Sequence, residues 1–222
     1  MRSFAEIRAI SADRKPDLDT YLAAQSQPKS PAEIADIADD RWLSCMTRCI
    51  FQAGFNWKVV EAKWPGFEDA FEGFDVHRCA MLSADDIGKL ASDTRVIRNG
   101  SKLASVPVNA RFILDLARDH GGAGKAFGSW PGEKYIDLLA LLKQRGTRLG
   151  GNTGPYLLRL MGVDSFILSK DVTARLIAEG VIDKPATSKK AMVAVQAAFN
   201  SWHQESGKSF TEISRTLALS IG

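Results

Sequence analysis

An all-α helical bundle is the fold class this sequence predicts, and three observations predict it. Apolar residues recur at three- and four-residue spacing along most of the chain. No stretch sustains the period-two alternation of a half-buried strand. Helix-starting signals stand ahead of the periodic runs: Ser30 before Pro31, Ser83 before Asp85 and Asp86, and Ser209 three residues ahead of Glu212. A chain of 222 residues that is 45% hydrophobic can bury a substantial core, as one domain or as two intimately packed lobes. Wholesale disorder is therefore excluded.

Residues 1–30 are polar and interrupted by Pro16 and Pro28, and they read as an N-terminal arm with short helical stretches at 4–10 and 18–24; residues 31–222 form the domain. From Pro31 the apolar positions Ile34, Ile37, Trp42, Met46, Cys49 and Ile50 predict one long helix ending at Gly54. A second helix runs from Asn56 to just before Pro65, and a short third covers 67–71. The next is capped by Ser83 and runs over 84–92. Residues 99–119 follow as a single helix kinked at Pro107, closed by the glycines at 121, 122 and 124. Helices over 131–144, 153–161, 169–179 and 187–204 come next, and a capping box of Ser209 and Glu212 opens the last, making about ten elements.

The formal net charge of +3 permits contact with a polyanion and is far from the dense positive footprint of a wrapping protein. Cys45, Cys49 and Cys79 are an odd number in a chain with no charged start followed by an apolar run, which fits a reducing cytoplasm. No apolar run approaches the roughly 18 residues of a membrane span, so no membrane partner is expected. His77 with Cys79, and Cys45 with Cys49, do not extend to a four-ligand pattern; neither a metal nor any other cofactor is expected.

Residues 141–172 contain an amphipathic helix, the turn Leu149-Gly150-Gly151-Asn152-Thr153-Gly154, a second helix, and a connector to a further capped helix. Backbone amides at such a turn hold phosphates without touching a base. A glycine-rich turn taken alone is more often a plain interhelical connection. This one is followed some twenty residues on by Ser169-Lys170-Asp171-Val172, and the whole segment resembles the helix-hairpin-helix DNA glycosylase superfamily. Leu149, Gly151 and Thr153 match its hairpin.

A second likeness sits upstream. Gln52-Ala53-Gly54-Phe55-Asn56-Trp57, Phe74-Asp75, the run from Ile97-Arg98 to Lys102-Leu103, and Asn109-Ala110 resemble the 3-methyladenine DNA glycosylase I family, without a gap from Phe74 to Ala110. This resemblance implies a two-lobed helical bundle of the helix-hairpin-helix glycosylase type. It also implies a monofunctional base-excision repair enzyme that flips an alkylated purine out of double-stranded DNA and hydrolyses its N-glycosidic bond. By the same likeness Trp57, Gln52, Cys49 and Tyr156 line the base pocket and Phe55 wedges into the vacated stack. Gly151, Asn152, Thr153, Gly154, Arg98, Lys102 and Lys170 contact the DNA backbone. Asp171 is the catalytic carboxylate. The implied partner is damaged duplex DNA, met by a monomer in the cytoplasm and at the nucleoid during repair.

The chain departs from the pattern at four places. The base-reading Glu of the family, three residues before its Gln-Ala-Gly, falls on Cys49. Ser169 stands in the register of the catalytic Asp, with Asp171 two residues on. Pro155 occupies the position of the Schiff-base Lys of bifunctional members, so strand cleavage by an amine is not expected. The zinc ligands of the family have no match at the N-terminus, and its C-terminal His falls on Asp171. Two neutral residues at usual carboxylate positions keep two rivals open: a binder of damaged or distorted DNA that has lost the chemistry, and a glycosylase with altered base preference. A helical protein-interaction module comes last.

Overall fold

The computed structural model of the chain describes residues 1–221. Fifteen α-helices and two single 3-10 turns, with no strand, make up the described residues. They fall into two compact units: Met1–Lys29, Trp130–Leu138 and the chain from Gly162 onward form the first, Ser30–Ser129 and Leu139–Met161 the second.

Helices α1 (Phe4–Arg14) and α2 (Leu18–Ala24) begin the first unit. Ser3 and Glu6 open α1 with a reciprocal capping box. Phe4, Ile7, Leu18 and Leu22 are buried, so the segment set apart by its polar composition supplies four side chains to a core.

The second unit starts with α3 (Pro31–Ala35) and α4 (Asp39–Gln52) where the apolar periodicity predicts one helix. The break has a tertiary cause. A Cβ on Gly124 would lie 2.5 Å from the carbonyl oxygen of Ile34 and 3.0 Å from that of Ile37, so only glycine lets these backbones meet. Across the break, the Asp39 carboxylate accepts the N–H of Ala123 at 2.7 Å and so caps a different helix. Beyond the turn at 53–56, α5 (Trp57–Ala70) runs straight through Pro65, where the sequence predicts a stop. The proline forfeits a helical bond at a cost of roughly 3 kcal/mol. Trp64 and Phe67 on either side of it are buried and stacked 4.9 Å apart, and that packing carries the helix on.

Then come α6 (Val76–Met81), α7 (Ala84–Leu90), α8 (Gly100–Leu103), α9 (Ser105–His120) and α10 (Ala123–Gly128). Ser83 caps α7 as its sequence predicts. The expected helix over 99–119 is instead α8, capped by Asn99, and α9, with the boundary at Ala104. Pro107 causes no kink, because it lies in the first turn of α9, where a missing N–H has no helical partner to lose. Helices α11 (Tyr135–Arg145) and α12 (Thr153–Leu160) flank the glycine-rich turn.

The chain closes with α13 (Lys170–Ala178), α14 (Lys189–Ser206) and α15 (Phe210–Leu219) in the first unit. Phe166 lies against Phe199 at 4.2 Å and meets Tyr135 edge-on at 4.7 Å in its core. Ser209 caps α15, but the Glu212 carboxylate turns to Lys208 at 3.1 Å, so the reciprocal half of the expected capping box is replaced by an ion pair. No helix among the described residues is long and apolar enough to cross a membrane.

Candidate functional site

The corner between α4 and α5 is built to expose rings. Helix α4 buries Met46, Cys49, Ile50 and Phe51 and then stops at Ala53. Gly54 follows at φ +70°, a left-handed conformation that glycine adopts without steric cost, and the space around it is open. Asn56 starts α5 by accepting the N–H of Lys58 at 3.0 Å. Between these fixed ends Phe55 and Trp57 project outward, 46% and 49% exposed.

Lys102 locks the corner from below. Its ammonium donates to the carbonyls of Ala53 at 2.8 Å and Phe51 at 3.1 Å, a cation placed on the C-terminus of α4. Burial, with the Arg148 guanidinium as a second cause, holds that ammonium below the usual lysine pKa. The side chain expected at a phosphate is thus engaged with the protein's own backbone.

The turn between α11 and α12 belongs to the same unit. Asn109, fully buried on α9, grips it at one residue: Oδ1 accepts the N–H of Thr147 at 2.7 Å and Nδ2 donates to its carbonyl at 3.2 Å. Leu149 is buried, which fixes the turn at its other side. Held between them, Arg148 takes φ +63° and lays its guanidinium on Ser101, with donors at 3.1 and 3.2 Å from the hydroxyl and carbonyl. Gly151 and Asn152 are left exposed at the start of α12. Ile50, Ala53, Lys102, Arg148, Gly150 and Thr153 line a pocket of about 320 Å³ here.

One contact joins corner and turn. Tyr156, on the first helical turn of α12, meets the Trp57 indole edge-to-face at a ring separation of 6.0 Å. Two half-exposed rings so disposed form an open aromatic platform. A larger hollow of about 630 Å³ elsewhere in the unit is lined by the carboxylates of Asp39, Asp40, Glu72 and Asp75. Its charge repels phosphate, and it holds none of the expected site residues.

The remaining expected residues fall as follows. Gln52 is buried at the end of α4 and donates from Nε2 to Glu61 Oε1 at 2.8 Å. Cys49 is 5% exposed; its hydrogen bond with Cys45, then burial, push the thiol pKa up and keep it neutral. Arg98 is exposed in the segment before α8. Lys170 and Asp171 are exposed in the first turn of α13, in the first unit, and Ser169 caps that helix by accepting the N–H of Val172 at 3.2 Å. Glu61, Arg48, Asn109 and Arg148 are additions the sequence did not single out. Glu61 follows Trp57 by four residues, a spacing that puts both on one face of α5; that was the available signal.

Residues 36–137 match the family model described as methyladenine glycosylase. The chain's kinship is with the methyladenine glycosylases. A 67-residue stretch, 30% of this chain, is 31% identical to a DNA-3-methyladenine glycosylase of Haemophilus influenzae and spans 36% of that relative's length. Among solved structures, 3-methyladenine DNA glycosylase I from Staphylococcus aureus, in work on its recognition of 3-methyladenine, superposes with a TM-score of 0.52 at 18% identity, covering 67% of this chain and 87% of the other. An 8-oxoguanine DNA glycosylase of Methanocaldococcus jannaschii gives 0.57 at 15% identity, covering 96% of this chain and 91% of the other. At these identities the likeness is one of fold, and the fold is the helical, helix-hairpin-helix glycosylase architecture. The family match takes in α4, the corner, α5 and α8 to α10; it ends before the glycine-rich turn.

Proposed function

We propose that this chain is a monofunctional DNA glycosylase that flips an alkylated purine of the 3-methyladenine kind out of duplex DNA and hydrolyses its N-glycosidic bond. The observation that carries this reading is the half-exposed Trp57, met by Tyr156 and preceded by the outward Phe55, beside a glycine-rich turn in one unit. Folding alone gives no reason to hold three rings in water at a corner pinned by Lys102. The names of the relatives point the same way.

In this mechanism Trp57 and Tyr156 take the extruded base and Phe55 fills the gap it leaves, which offsets part of the unstacking cost. Gln52 meets the base edge. The amides of Gly151 to Gly154, with Arg98 and Lys170, hold phosphates, while Lys102 acts indirectly by fixing the corner. An alkylated purine carries positive charge and leaves readily as its C1′–N bond breaks. Water then adds to C1′ and loses a proton, with the Asp171 carboxylate stabilising the oxocarbenium ion or orienting that water. Pro155 has no amine, so the product is an abasic site with an intact strand. The protein acts as a cytoplasmic monomer on double-stranded DNA.

Methylated duplex DNA incubated with the protein should yield free 3-methyladenine and abasic sites. Good DNA binding with no base released from any alkylated substrate would overturn the enzymatic reading. A second reading, a binder of damaged DNA without chemistry, draws on the sealed Cys49 and on Ser169 being spent as a helix cap. Tight abasic-site binding without release would select it.

A further inference from the structure

Resting on that reading, we infer that Glu61 is the carboxylate that reads the base, in place of the one Cys49 cannot supply, and that it selects a base whose edge offers N–H donors. Gln52 Nε2 donates to Glu61 Oε1 at 2.8 Å. A carboxylate accepts only, so the amide must turn its NH₂ group toward Glu61 and its carbonyl the other way. Gln52 Oε1 has no hydrogen-bond donor among the described residues, and it is not among the fully buried atoms that lack one; it reaches the rim as a free acceptor.

Glu61 itself is held and still available. Its Oε2 lies 3.7 Å from Arg48, whose guanidinium is in turn fixed 4.6 Å over the Trp64 ring. Each carboxylate oxygen keeps a second lone pair, and the side chain is 50% exposed. Four residues along α5 from Trp57, it stands on the face that carries the indole. An aromatic platform is thus edged by two acceptors and no free donor. A 6-amino purine presents N–H groups to such an edge and is bound. A 6-oxo purine sets its carbonyl against the same oxygens and is rejected, because an unpaired or opposed polar group discriminates more strongly than a change of shape.

The test measures base release by the full chain in a single turnover, per molecule competent to bind abasic-site duplex, from DNA containing both 3-methyladenine and 7-methylguanine. Normalising to abasic-site binding removes any loss of folded protein. The wild type should favour 3-methyladenine. Glu61→Gln should lower its normalised release by about tenfold to a hundredfold, the range expected for one lost charge-assisted hydrogen bond, and Glu61→Asp should recover part of it. Equal normalised release by Glu61→Gln and wild type, or equal preference for the two bases, would overturn the assignment and leave the glycosylase reading standing. No release of any base by the wild type would overturn both.

Discussion

Trp57 and Trp64 lie seven residues apart on α5, almost two full turns, and so nearly on one face of the helix. Trp64 is 4% exposed: Phe67 and Phe74 stack on it at 4.9 and 5.7 Å, Arg48 covers it, and its indole N–H donates to Glu68 at 3.1 Å. Trp57 is 49% exposed, touched edge-on by Tyr156 alone among the aromatic side chains, and its indole N–H has no partner among the described residues. The same residue type on the same face has two fates because its neighbours differ. One ring is satisfied at every surface, while the other keeps a free face and a free edge. That difference separates the demands of folding from those of binding within a single helix.

The sharpest break in the comparison is Trp64→Ala. Removing a stacked, buried indole leaves a cavity and strips Glu68 and Arg48 of a partner. A loss of about 3–5 kcal/mol in unfolding free energy is expected for such a truncation. Chemical denaturation reads it directly, and a loss no larger than that of Trp57→Ala would erase the distinction drawn here.

Acid provides the second test. Burial raises the pKa of Glu68, but the hydrogen bonds from Arg41, Ser44 and the Trp64 indole outweigh it, so the folded value lies below the ordinary one. A depressed carboxylate contributes stability that is fully present above the unfolded pKa, near 4.3, and is lost as pH falls through the folded value. Glu68→Gln should therefore destabilise the protein at pH 7 and flatten the decline in stability below about pH 4. An unchanged acid limb in pH-dependent unfolding would show that the cluster around Trp64 does not depend on its charge.

Much of the buried side of this contrast was legible in the sequence. The spacing of Trp42, Met46, Cys49 and Ile50 marked the inner face of α4, and Ser30, Ser83 and Ser209 marked helix starts, because capping is chemistry among near neighbours in the chain. The breaks at 36–38 and at Ala104, and the passage of α5 through Pro65, were not. Each is decided by a partner distant in sequence, such as Gly124 against Ile34, or by aromatic packing that outweighs local preference. In the candidate site, Gln52, Phe55 and Trp57 were found through a six-residue resemblance. Glu61 was missed because its meaning lies in a hydrogen bond across the corner that spacing along α5 does not reveal. Lys102 carried the opposite error: its positive charge suggested a phosphate, and only the three-dimensional arrangement turns it onto the carbonyls of Phe51 and Ala53.

The exposed side of the contrast predicts small effects on folding and selective ones on binding. Trp57→Ala loses one edge-on contact and little burial, so it should cost about 1 kcal/mol or less in stability. Phe55→Ala should cost less still, within about 0.5 kcal/mol. Gly54 sets the turn, and the N–H of Phe55 reaches the Gln52 carbonyl at 3.1 Å whatever the side chain. Its effect belongs to DNA with a vacated stack, where the phenyl ring replaces a missing base and the energy it returns has no counterpart in intact duplex. Binding of Phe55→Ala to abasic-site duplex should therefore weaken far more than binding to the same duplex without a lesion, at one salt concentration. Equal weakening on both would mean that the ring contributes only general contact, and that exposure at this corner is not a sign of insertion.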